Sequence, residues 1–277
     1  MKTISSRQNS AVRAFRELAA SPDADGTRVL LDGIHLVGAA REAGAVIEVV
    51  AVASSRLAGD TKEGALARAL DAAGSSVLSL SDSVFAAVSP VRAPSGIVAI
   101  AHRKAAEAEK ICRQPDGFTL VAADIQDPGN LGSMIRVAEA GGATGVLVCG
   151  TSANPFSWKA LRGSMGTSLR LPIAAGLDVD GAVSCVERGG ARLIGAVPRD
   201  GAAPDSVDWT GKIALLLGGE AAGLPRTVLP RCQERVTIPM APPVESLNVA
   251  AATAVLIYAA YRQRATSGVP RRAVEVS

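Results

Sequence analysis

The chain has 277 residues, 48% of them apolar, a length and composition suited to two globular domains with buried cores. Aromatic residues make up only 3%, which argues against a single-stranded RNA reader built on stacked rings, and a net charge of +3 permits an anionic partner without demanding one. Four dispersed cysteines (Cys112, Cys149, Cys185, Cys232) and two histidines (His35, His102) give no Cys-x-x-Cys, no disulfide framework and no metal-ligand spacing.

Arg outnumbers Lys, which suits planar recognition of phosphate, although genome base composition gives the same bias. The N-terminus carries no signal-peptide apolar run, and the most apolar stretch, 249–260, is too short to span a bilayer. These features read as a cytoplasmic protein with free thiols and no membrane association.

In chain order, 8–20 reads as a helix with Val12, Phe15, Leu18 and Ala19 near one face. A short strand at 29–31, a helix at 36–43 and a β-branched strand at 47–53 follow. Residues 61–73 are helical, 76–80 extended, 82–88 a short helix and 96–101 a strand, so 1–102 forms a compact α/β domain. Residues 103–117 carry mixed charge and end in Pro115-Asp116-Gly117, the pattern of a connector, partly helical.

A second α/β region starts at Phe118. Its short apolar runs, 119–123, 146–149, 193–197, 213–217 and 236–238, are bounded by turn residues, as expected for a parallel sheet covered on both faces. The last helix runs over about 247–263, and 266–277 reads as a flexible tail.

Three segments of this region carry chemistry. In Asp127-Pro128-Gly129-Asn130-Leu131-Gly132-Ser133-Met134-Ile135-Arg136 the Pro-Gly pair marks a turn and Asn130 is a candidate helix cap. Leu131, Met134, Ile135 and Ala138 form the buried stripe, with Arg136 off it and free to face a cleft. Next, an apolar strand runs into Gly218-Gly219-Glu220, where glycines admit a ligand close to the backbone at a strand's C-terminal end. Last comes Ile238-Pro239-Met240, then Ser246-Leu247-Asn248 opening the final helix, with Ser246 as its candidate cap. Taken singly, a surface arginine, a strand-loop-helix joint and a helix cap account for each segment.

In order, Asn-x-Gly-x-x-x-Arg, Gly-x-Glu-x-x-Gly, and Ile-Pro-Met followed by Ser-Leu-Asn-Val resemble the SpoU/TrmH family of RNA ribose 2′-O-methyltransferases, within the SPOUT superfamily. A further stretch, Arg162-Gly163-Ser164-Met165-Gly166, is similar to the family's Arg-x-Ser-x-Gly segment. The likeness covers about 118–264. Ile4 to Ser10 and Asp32-Gly33-Ile34 are similar to the substrate-binding domain that often precedes it, with Asp32 where many members have Glu and Ser10 where they have Pro.

The resemblance implies an α/β methyltransferase domain over 118–265 with a C-terminal deep trefoil knot, acting as a homodimer and using S-adenosyl-L-methionine without a metal. Gly218, Gly219, Ile238, Met240 and Leu247 are then expected at the cofactor, and Arg136, Asn130, Glu220, Ser246 and Asn248 at the reaction centre. Arg7, Arg13, Arg16, Arg92, Arg162 and Ser164 are expected to face RNA, ribosomal more than transfer RNA.

A catalytically silent RNA-binding protein is the alternative, and the retention of all five reaction-centre residues argues against it. A base methyltransferase fits other SPOUT branches, but the Ser-Leu-Asn-Val helix start is closer to the ribose branch. A dinucleotide oxidoreductase would need Gly-x-Gly-x-x-Gly after a strand, and a P-loop enzyme Gly-x4-Gly-Lys-[Ser/Thr]; neither is present.

Overall fold

The computed structural model describes residues 1–23, 26–219 and 223–266. Its first elements are β1 (Lys2–Ile4), α1 (Ser10–Ala20), β2 (Arg28–Asp32), α2 (Ile34–Glu42) and β3 (Val46–Ala53). There follow α3 (Ser54–Ala58), α4 (Lys62–Ala72), β4 (Ser76–Leu80), α5 (Asp82–Phe85) and β5 (Ile97–His102). Then come α6 (Ala108–Cys112), β6 (Phe118–Ala123), α7 (Pro128–Ala140), β7 (Gly145–Cys149), α8 (Trp158–Gly163) and β8 (Ile173–Leu177). The chain closes with α9 (Val179–Arg188), β9 (Arg192–Ala196), β10 (Ile213–Leu217), β11 (Glu234–Val236) and α10 (Val249–Thr266).

These elements divide into two units. One comprises Met1–Ala105 together with Asn154–Arg170, and the other Ala106–Ala153 with the described residues from Leu171 onward. The first holds a mixed sheet in the order β1-β4-β3-β5-β2, with β5 antiparallel to both neighbours. Phe15, Leu18, Leu30, Leu80, Phe85 and Ile100 fill its core.

Segment 154–170 lies within the stretch expected to be catalytic domain, yet it packs as part of the first unit. The Asn154 amide donates to Asp23 O at 2.9 Å, the Arg103 guanidinium stacks 3.6 Å over the Phe156 ring, and Trp158 rests on the core. Two aromatic side chains in a sequence with few of them explain why this short segment is held there.

The second unit is a six-stranded, fully parallel sheet in the order β11-β9-β10-β6-β7-β8. Every residue of β6, β7 and β10 is buried, the signature of strands covered on both faces. Helices α6 and α9 pack with Val121, Leu147, Cys149, Leu193 and Leu216 in one layer. The buried residues of α7 and α10 lie outside that layer, and these helices pack on each other against the other face.

Most expected strands form within a residue of their predicted ends. β8 was not foreseen: Ile-Ala-Ala-Gly-Leu holds one β-branched residue and a glycine, too weak a pattern to read. The three-residue β1 is shorter than any periodicity signal. Inside the expected connector 103–117, α6 buries Ile111 and Cys112 in the second core, so that part of the stretch is packed structure. Burial pushes the Cys112 and Cys149 thiols up to about 12, and all four cysteines are free thiols.

One polar group inside this unit is unusual. Arg264, near the end of α10, is only 8% exposed. Its guanidinium donates to the backbone oxygens of Trp209 (2.9 Å), Gly211 (2.6 Å) and Asp116 (2.6 Å) and lies 5.6 Å from the Phe118 ring. The three acceptors sit in the loops leading into β6 and β10, so one side chain ties α10 to the entry of two central strands. Burial pulls its pKa below the ordinary arginine value, and its five donors in a planar fork suit three carbonyls better than an ammonium would. Arg264→Met should leave those buried carbonyls without a donor and cost about 3 kcal/mol in urea unfolding, with Arg264→Lys recovering only part.

Candidate active site

All six strands of the second unit are parallel, so their C-terminal ends open on one side, the side where ligands bind in such sheets. Three loops are tied together there. At the end of β6 the Asp124 carboxylate accepts from Thr151 N (2.7 Å) and Thr151 Oγ1 (2.9 Å), joining it to the end of β7. After β10, Gly219 lies against the same residue: a Cβ on Gly219 would fall 2.5 Å from Asp124 O. The loop closes through Gly223 N donating to Gly219 O at 2.9 Å. A Cβ on Gly218 would strike the backbone of Gly223, so glycine at both positions lets the chain fold back on itself and keeps the strand end bare of side chains.

Beyond β11, Thr237 fixes the third loop. Its Oγ1 donates to Val197 O (3.1 Å) and accepts from Gly201 N (2.9 Å), so the segments that follow β9 and β11 run together. Ile238 and Met240 are half-buried just after this anchor, and Leu247 is 39% exposed.

Two capping expectations are corrected. Asn130 does not cap α7. The helix begins at Pro128, and Asp127 is the cap, its Oδ1 accepting from Asn130 N at 2.7 Å. Proline at the first helical position, where no N–H is needed, fixes that start. Ser246 likewise does not cap α10, which starts at Val249. The cap is Asn248, whose Oδ1 accepts from Ala250 N (2.9 Å) and Ala251 N (3.4 Å).

The cap uses the Asn248 oxygen, and its amide nitrogen makes a different contact. Asn248 Nδ2 donates to Asn130 Oδ1 at 3.1 Å, joining residues 118 apart in sequence. The first and third sequence motifs thus meet at the paired N-termini of α7 and α10. Helix N-termini carry partial positive charge and favour electron-rich groups.

Arg136 stands six residues past Asn130, about 9 Å further along the helix axis, and so lies mid-helix, away from the cap. It is exposed, and among the described residues no hydrogen bond or ion pair holds it. Its Cα–Cβ bond, like every one on a helix, tilts toward the N-terminus, here the Asn130 end of α7. Ser246 is exposed one residue before Leu247, and Glu220 lies outside the described residues.

In the first unit, Arg7, Arg13 and Arg16 line one shallow cleft of about 360 Å³ with Gln8. Arg92 and Arg162 are exposed. Ser164 is fully buried, its hydroxyl donating to Leu161 O (3.1 Å) and bonded to Ser168 Oγ (3.0 Å); it holds a turn and presents nothing to a partner. Sequence reasoning did not single out Asp124, Thr151 or Thr237, because lone polar residues at strand ends have no periodic signal. Asp127 was legible, since Asp before Pro at a helix start is a capping signature.

Among the described residues no group of three or more His, Cys, Asp or Glu is placed to hold a metal, and no helix is long and apolar enough to cross a membrane. A fully parallel sheet with paired glycines after β10 and two capped helix N-termini side by side is the arrangement of an α/β enzyme, a class in which ligands bind at the strands' C-terminal edge.

Comparison with known proteins agrees. Residues 117–258 match the SpoU rRNA Methylase family. The chain is 30% identical over 263 residues to the 23S rRNA (guanosine(2553)-2′-O)-methyltransferase RlmP of Bacillus subtilis strain 168, covering 93% of this chain and 98% of the relative. Two solved structures superpose with a TM-score of 0.82 over 94% of this chain. One is the AdoMet-bound rRNA methyltransferase of Sinorhizobium meliloti (25% identity, 97% of that chain). The other is the SpoU methyltransferase AviRb of Streptomyces viridochromogenes in complex with AdoMet (26% identity, 99% of that chain). The chain belongs to the SpoU rRNA methylase family.

The asparagine link predicts a measurable coupling. Asn248→Ala loses both cap and link and should cost about 1–2 kcal/mol. Asn130→Ala loses the link and leaves the cap. A double-mutant cycle in urea should return about 0.5–1 kcal/mol of interaction, and a zero would show that the link carries no free energy.

Proposed function

We propose that this chain transfers the methyl group of S-adenosylmethionine to a ribose 2′-hydroxyl of ribosomal RNA, at the edge where the N-termini of α7 and α10 meet. The observation that carries this reading is the Asn248–Asn130 hydrogen bond, which joins two separated motifs of the family at the open end of the parallel sheet.

The residues there fit the cofactor. Gly218 and Gly219 let the loop after β10 fold tightly against Gly223 and Asp124, which leaves no side chain of these two residues between the strand end and a ligand. Ile238, Met240 and Leu247 supply partly exposed apolar surface for a planar base. S-adenosylmethionine, when bound, supplies a methyl group already activated on a sulfonium.

The chain must then align a ribose oxygen and ease loss of its proton. Correct alignment alone lowers such barriers by up to about 7–11 kcal/mol in ideal cases. Arg136 orients the hydroxyl: its charge is fixed, and no partner among the described residues competes for its donors. The same guanidinium stabilises negative charge developing on the ribose oxygen. Asn130 and Asn248 hold the helix ends in register around it, and Ser246 lies at the same entry.

RNA is gathered by the first unit, where Arg7, Arg13 and Arg16 share one cleft and Arg92 and Arg162 are exposed. Contacts of this kind position a backbone and carry no sequence information. The working location is the cytoplasm, where ribosomal RNA is modified.

We read the C-terminal segment as threading a trefoil knot. In support, β11 lies beyond β9 at the sheet's edge, while the α10 that follows returns to pack on α7. We read the active form as a homodimer through this unit. Ala251, Val255 and Tyr258 make an exposed stripe along α10, with Val255 43% and Tyr258 48% exposed, more apolar surface than a solvated helix face needs.

Two experiments test the reading. Arg136→Lys keeps the charge but not the fork. It should lower methyl transfer to ribosomal RNA by about 100-fold while calorimetric S-adenosylmethionine affinity stays near that of the wild type; near-normal turnover discards the role given to the guanidinium. Carrying Val255→Asp and Tyr258→Asp together, the protein should fall to the mass of one chain in light scattering, whereas the unaltered protein has twice that mass.

A further inference from the structure

The first unit contains a second cleft that the reaction does not use. It has a volume of about 300 Å³ and is lined by Asp32, His35, Leu36, Val91, Ser95, Arg162 and Met165, among others. Asp32, the last residue of β2, is only 7% exposed. Ser89 Oγ donates to Asp32 Oδ2 at 2.7 Å. Ser95 lies beside the carboxylate, but its single proton is bonded to Ile97 O at 2.9 Å. A carboxylate accepts about four hydrogen bonds, so acceptor capacity remains for a ligand.

Burial pushes the Asp32 carboxyl up, while the two serines and the charge of Arg162 pull it back. Keeping a carboxylate here is costly unless something with N–H groups comes to it. A neutral side chain would close the cleft at less cost.

The cleft is preformed by three segments. Ser89 and Ser95 bracket a loop that contains Pro90 and Pro94, which limits its freedom. The end of α8 and the turn at Met165 form another wall, held by the buried Ser164–Ser168 pair. The N-terminus of α2 completes it, with Gly33 as a cap that offers no side chain to the first N–H groups.

The chemistry of the lining selects a class of ligand. A carboxylate at the floor repels phosphate. Leu36, Val91 and Met165 offer apolar faces for a flat ring, as in pockets that take an extruded base. Arg162 and the uncapped helix end supply donors beside the acceptor. A group with two adjacent N–H donors and a neighbouring carbonyl satisfies both: the Watson–Crick edge of guanine, with N1–H and N2–H on the carboxylate and O6 on the donors.

We propose that this cleft is a guanine-selective subsite for an unpaired nucleotide of the RNA substrate, with Asp32 as its specificity-determining residue. The proposal rests on the RNA-methylation reading above.

The test uses the full chain and three fluorescein-labelled hexaribonucleotides, UUUGUU, UUUIUU and UUUAUU, followed by fluorescence anisotropy. The guanine hexamer should bind about tenfold more tightly than the adenine one, with inosine, which lacks the 2-amino group, between them. Asp32→Asn keeps the shape and still accepts the Ser89 hydrogen bond, but turns an acceptor into a donor; it should abolish the preference. An affinity for UUUAUU unchanged from the unaltered protein reports that the variant's first unit is folded.

Equal affinities for the three, no binding of any, or a guanine preference that survives Asp32→Asn overturns the proposal. Methyl transfer to ribosomal RNA is measured in parallel. Transfer without a guanine preference removes the subsite and leaves the reaction, whereas a preference without transfer removes the reading of the reaction and leaves the subsite.

Discussion

The pairing of α7 with α10 is the constraint on which the second unit depends. These helices come from opposite ends of the domain, yet they pack on one face of the sheet, and α10 is pinned at both ends. At one end Asn248 donates to Asn130. At the other, Arg264 donates to three backbone carbonyls at the entry of β6 and β10. Between the pins the helices approach closely: a Cβ on Gly141 would strike Ile257. A helix held at both ends and packed tightly between them has little freedom to shift, and whatever stands on its exposed side inherits that rigidity.

That rigidity gives the open edge its precision. The loops after β6, β7 and β10 meet at one aspartate, Asp124, through side-chain hydrogen bonds on one side and a bare glycine on the other. Loops on a surface are ordinarily the most mobile part of a fold. Here their ends are fixed to each other before any ligand arrives, so less ordering remains to be done on binding.

The sequence showed much of this and missed definite parts of it. Apolar runs located the central strands because strands buried on both faces are nearly all hydrophobic, as in Leu215-Leu216-Leu217. The motifs marked Asn130, Gly218, Asn248 and Arg136, but not which asparagine capped a helix, because capping depends on where the helix begins and Pro128 moved that start. Arg264 was invisible: an arginine in the last turn of a helix ordinarily reads as a solvated end. Its role appears only when loops more than fifty residues away fold over it. The placement of 154–170 with the first unit was hidden for the same reason, since Phe156 and Trp158 have no local pattern that names the core they enter.

Two arginines of this helix pair illustrate how burial divides structural from chemical work. Arg264 is enclosed, and its donors are committed to backbone carbonyls. It can stabilise but has nothing left to offer a substrate. Arg136 is exposed, with no partner among the described residues, and contributes little to the fold by direct contact. The helix that bears it is nevertheless held in place, because α7 is tied to α10 by the asparagine link and by close packing at Gly141, and α10 is tied in turn by Arg264. A guanidinium stabilises a developing negative charge best when it is already positioned and not already neutralised. Both conditions can be met on one helix only if something else anchors that helix. The Asn130–Asn248 bond supplies that anchor to α7, with Arg264 fixing the partner helix α10, which leaves Arg136 free of structural duty.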